Sequence, residues 1–74
     1  MSEREDLQRQ VDTVLEDLSI GMEAWRNTGQ APNSVLQEAK ELREEAGWER
    51  QTDLADRLAG AIEQAEREIE RARR

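Results

Sequence analysis

The stretch "EEAGWERQTD", Glu44 to Asp53, decides how this chain folds. A helix runs into it, another runs out, and Gly47 stands between them. If the helix passes through, the second half of the chain is one rod. If it stops, the two halves double back on each other. The apolar positions choose between these outcomes. Upstream they are Val35, Ala39, Leu42 and Ala46, spaced by fours and threes along one helical face. Continued, that stripe reaches Glu49 and Asp53, both charged. The apolar series resumes instead at Leu54, Leu58, Ala61, Ala65, Ile69 and Ala72. On a continuous helix this second stripe lies about 100° from the first, one residue out of phase. A single seam cannot serve both. Gly47 suits the left-handed position after a helix, and Trp48 is placed to pack back across the turn. The reading is a stop at Gly47.

Working outward, the N-terminal part repeats the pattern with Leu7, Val11, Val14, Leu15, Leu18, Met22 and Trp25. Ser2 and Glu5 have the spacing of a capping box ahead of it. The stretch "NTGQAPN", Asn27 to Asn33, ends this helix: Gly29 suits the left-handed C-terminal position and Pro32 forbids continuation. Ser34 and Gln37 then form a second capping-box pattern. The third helix starts between Trp48 and Asp53, with Thr52 or Asp53 as a reasonable cap. These signals predict helices over about 3–27, 34–46 and 49–73 within one domain spanning 1–74. Short connections place neighbours antiparallel. The fold class is therefore all-α, a small up-down-up three-helix bundle with two long helices flanking a shorter middle one. That inequality predicts an uncovered stretch of apolar seam on the long pair. Gly21 lies on the core side of the first helix, where a glycine costs about 1 kcal/mol relative to alanine. Tight packing is expected there, around Trp48 or an alanine of the third helix.

The 74 residues include no His, Cys, Tyr or Phe, 18 acids against 11 bases, and a net charge of −7. Without His or Cys, the commonest general bases, thiol nucleophiles and transition-metal ligands are missing. No phosphate-binding glycine loop is present, and Gly21, Gly29, Gly47 and Gly60 are scattered. The Glu-x-x-His pattern of bundle metal sites and the calcium loop are absent as well. The clusters Glu41, Glu44, Glu45 and Glu63, Glu66, Glu70 read as solvated faces. The expectation is no enzyme, no cofactor, no metal and no small-molecule substrate. Negative charge repels nucleic acid and anionic lipid, and the arginines of "EREIERARR" are interleaved with glutamates. No apolar run reaches the roughly 18 residues of a membrane span. The polar start lacks a signal peptide's apolar region, so a soluble, cytoplasmic chain is expected.

Function is thereby bounded to protein contact, with a partner or with a second copy. The candidate contact residues are Ile20, on the water face of the first helix; Trp25 and Trp48, at helix ends; and Leu36 and Ile62, beside their stripes. For the two tryptophans, a core-edge anchor is the favoured role, and an interface hot spot the sharper one. Two further readings stand beside a protein-contact bundle. One is a designed or engineered scaffold, suggested by the caps and dipole-matched charges. The other is an acidic inhibitor or decoy of a basic nucleic-acid-handling protein, suggested by net charge.

Overall fold

The computed structural model describes residues 3–73. Three helices follow in order, α1 (Glu3–Thr28), α2 (Asn33–Trp48) and α3 (Thr52–Ala72), with no strand among the described residues. They pack as an up-down-up bundle with the shortest helix in the middle, 43 × 18 × 15 Å along its principal axes. No helix among the described residues is long and apolar enough to cross a membrane.

The chain does break between α2 and α3, but three residues beyond Gly47. Helical geometry runs through Gly47 to Trp48, and Glu49 caps it. Arg50 N–H donates to the Gly47 carbonyl at 3.1 Å, and Gln51 N–H to the Ala46 carbonyl at 2.8 Å. This paired reversal is the Schellman arrangement, and its left-handed position falls on Arg50, at φ +60°. A Cβ makes that conformation costly, which glycine avoids. Arg50→Gly is therefore expected to raise stability by about 0.5–1 kcal/mol, read as a higher urea midpoint at unchanged slope. A loss of stability would mean that another geometry holds the turn.

At the other junction Gly29 does hold the left-handed position, at φ +80°, and its N–H reaches the Trp25 carbonyl at 2.7 Å. The caps differ from expectation. Ser2 lies outside the described residues. Pro32 occupies the N-cap of α2 and Gln51 that of α3, neither with a side-chain capping bond. Asn33 is already helical, so Ser34 falls inside the first turn, where it cannot cap. Likewise α3 starts at Thr52, which puts Thr52 and Asp53 within the helix, and the Asp53 carboxylate is held by Arg4.

The three stripes meet in one core. Leu7, Val11, Val14, Leu18 and Met22 from α1, Leu36, Ala39, Leu42 and Ala46 from α2, and Leu54, Leu58, Ile62, Ala65 and Ile69 from α3 are all buried. The expected open flank is thus absent among the described residues. Two features close it. α2 has 16 residues, starting before Ser34 and ending after Ala46, so it spans about 24 Å. The α1–α2 connection then folds over the upper end, with Ala31 and Pro32 half-buried there and Ala31 packed against the core. The tight packing at Gly21 belongs to this cover. A Cβ on Gly21 would lie 2.7 Å from Pro32 Cβ, so the partner is the connecting proline rather than Trp48 or an alanine of α3.

Candidate protein-contact surface

The core separates the five candidate residues. Leu36 and Ile62 are buried within it, at 7% and 4% exposure, so they hold the helices together and offer no free contact surface. Trp25 is half-buried and packs against the core, the core-edge role expected of it. Ile20 and Trp48 remain as the large exposed hydrophobics, at 60% and 86%. They do not share a patch. Gly21 sits against Pro32, just before α2 begins, so Ile20 lies beside the start of α2 and Trp48 at its end. The 16-residue length of α2 puts about 24 Å between those levels.

The exposure of Trp48 has a local cause. Ala46 takes the last core position of α2, at 0% exposure. Two residues further along, a helical side chain has rotated by about 200° and faces water. Because the reversal is built at Arg50 and Gln51, Trp48 stays in the last helical turn instead of folding back as the residue beyond a C′ glycine. The core-edge reading holds for Trp25 and fails for Trp48.

Ion pairs distribute unevenly around the bundle. Arg4 pairs with Asp53 at 2.7 Å, Arg57 with Asp12 at 3.5 Å and Arg26 with Glu68 at 3.0 Å, all linking α1 to α3. Lys40 reaches Glu66 at 3.2 Å between α2 and α3, and Glu63 pairs with Arg67 within α3. The Arg4 guanidinium, chiefly through its hydrogen bond, holds the Asp53 carboxyl below the usual carboxylate range. That pair is open to solvent, where screening leaves such contacts little net energy.

The groove between α1 and α2 differs. Arg9, Gln10, Thr13 and Val14 line one side, and Glu38, Glu41, Leu42 and Glu45 the other, around an open space of about 380 Å³. Val14 and Leu42 are its buried floor. Glu38, Glu41 and Glu45 have no basic partner among the described residues. Glu41 accepts a 3.4 Å hydrogen bond from Gln37. The sequence groups Glu41 and Glu45 with Glu44 as a solvated face, and the structure sets Glu38 beside Glu41 and Glu45 in the groove lining instead. The legible signal was their spacing, three and then four residues, which sets all three on one strip of α2. Among the described residues no group of three or more acidic side chains is arranged to hold a metal ion. No family model matches this chain, and neither a curated protein nor a solved structure matches it.

Proposed function

We propose that this chain is a non-catalytic helical module that binds another protein through the C-terminal end of α2, with Trp48 as the anchor. The carrying observation is Trp48 at 86% exposure on the last turn of a helix. Tryptophan is strongly buried on average in folded chains, and where it is exposed on a rigid element it is the side chain most enriched at interface hot spots. Burying it against a partner removes on the order of 200 Å² of aromatic surface from water. A partner is favoured over a second copy. The apolar seams are satisfied internally, and two chains of charge −7 repel each other.

Photocrosslinking in the source cells tests this reading. With Trp48 replaced by a photoreactive phenylalanine analogue, one discrete heteromeric adduct is expected. The same analogue in place of Gln64, exposed on α3, should give none. No adduct from position 48, or equal adducts from both positions, would overturn the assignment. An adduct of twice the chain mass would transfer it to self-association.

A further inference from the structure

We propose that the groove between α1 and α2 beside Trp48 is the docking site for a lysine- and arginine-rich amphipathic helix of the partner. This deepens the preceding reading and rests on it for the role of Trp48. Glu38, Glu41, Glu45 and Trp48 follow at steps of three, four and three along α2. They form one strip about 15 Å long, which is the length of three helical turns on an occupant.

Charge complementarity selects that occupant. The groove lining carries three carboxylates against the single guanidinium of Arg9. The neighbouring groove balances Glu63, Glu66 and Glu70 with Arg43, Arg67 and Arg71, and elsewhere Asp12, Asp53 and Glu68 are among the acids that have arginine partners. Glu38, Glu41 and Glu45 have none among the described residues, so a cationic helix meets them without displacing an internal pair. Basic side chains repeating at the same three-four spacing reach all three carboxylates at once. At the end of the strip the Trp48 indole, with Glu44, Glu45 and Glu49 near it in sequence, offers a cation–π face to a guanidinium or ammonium. With Val14 and Leu42 buried beneath the groove, the exposed Trp48 indole is the apolar surface that meets the helix's aliphatic side. Polyphosphates and anionic membranes carry the wrong sign. A second copy is a poor occupant, since its arginine-rich end interleaves Glu66, Glu68 and Glu70 with Arg67 and Arg71.

The probe is a synthetic helical peptide of lysine, arginine and leucine, about 18 residues long, titrated calorimetrically and by the fluorescence of Trp48 in a Trp25→Phe background. The expected result is one-to-one binding with a shift of the Trp48 emission. The triple change Glu38→Gln, Glu41→Gln and Glu45→Gln should weaken it about tenfold or more. A matched loss of three charges elsewhere, Glu16→Gln, Glu23→Gln and Asp56→Asn, should weaken it less than about twofold. Equal weakening by both sets would overturn the groove, leaving only bulk attraction between opposite charges. Failure of the peptide to bind would overturn it too. Trp48→Ala separates the two readings. If Trp48→Ala weakens binding and the groove triple does not, the groove falls and the anchor stands. If the groove triple weakens binding and Trp48→Ala does not, the anchor falls. Doubling of the mass in sedimentation without peptide would point to a second copy as occupant and overturn the proposal.

Discussion

Leu58→Ala is expected to lower the unfolding free energy by about 3 kcal/mol. Leu58 has no solvent exposure and lies at the middle of the α3 stripe, between Leu54 and Ile62. Removing three carbons there forfeits their transfer energy and leaves a cavity that three converging helices cannot collapse without losing contacts elsewhere. A chain of this size holds only about 3–5 kcal/mol in all. The substitution therefore removes most of the stability and lowers Tm by roughly 15 °C or more. Thermal and urea unfolding followed by far-UV circular dichroism give the number. Leu15→Ala is the comparison. Leu15 is only half-buried against the core, so its loss costs about 1 kcal/mol. Equal effects at the two sites would mean that the core is not centred on Leu58.

Gly21→Ala and Gly60→Ala are expected to move stability in opposite directions. Both glycines lie inside helices, where alanine is intrinsically better by about 1 kcal/mol. At Gly60 a Cβ meets nothing within 4 Å, so Gly60→Ala should gain about 0.5–1 kcal/mol. At Gly21 the added Cβ falls 2.7 Å from Pro32 Cβ and 3.3 Å from Pro32 Cγ. A proline ring cannot swing aside by changing rotamer, because it is closed on its own backbone. The α1–α2 connection must lift instead, and with it the Ala31 cover on the upper core. Overpacking of this kind outweighs the propensity gain and leaves a net loss of about 1–2 kcal/mol. Paired urea titrations of the two variants give the signs directly. A gain at both sites would show that the connection yields freely and that Gly21 has no packing role.

Much of the fold is legible along the chain. Positions Leu7 to Trp25, Val35 to Ala46 and Leu54 to Ala72 announce three amphipathic helices, and the phase slip after Ala46 forces a reversal that the structure contains. Gly29 and Pro32 mark the first junction correctly, because a positive φ and a missing N–H are properties of single residues. The candidate surface is less legible. Ile20 is exposed as its place opposite the stripe predicts, and Trp25 packs at the core edge. Leu36 and Ile62, beside their stripes, go into the core because three helices enclose a wider arc than a two-helix seam does.

The residue order by itself determined the number of helices, the face each one buries and the need to turn between Ala46 and Leu54. These follow from periodicity, a property each segment carries alone. It did not determine that Arg50 rather than Gly47 takes the left-handed turn, that Pro32 fills the space of the Gly21 side chain, or that Trp48 is left in water beside an acidic groove. Each of those depends on how segments distant in the chain meet. A helix extends until the packing of its neighbour requires it to stop, and the end point is set by where α3 must begin to bring Leu54 and Leu58 into the shared core.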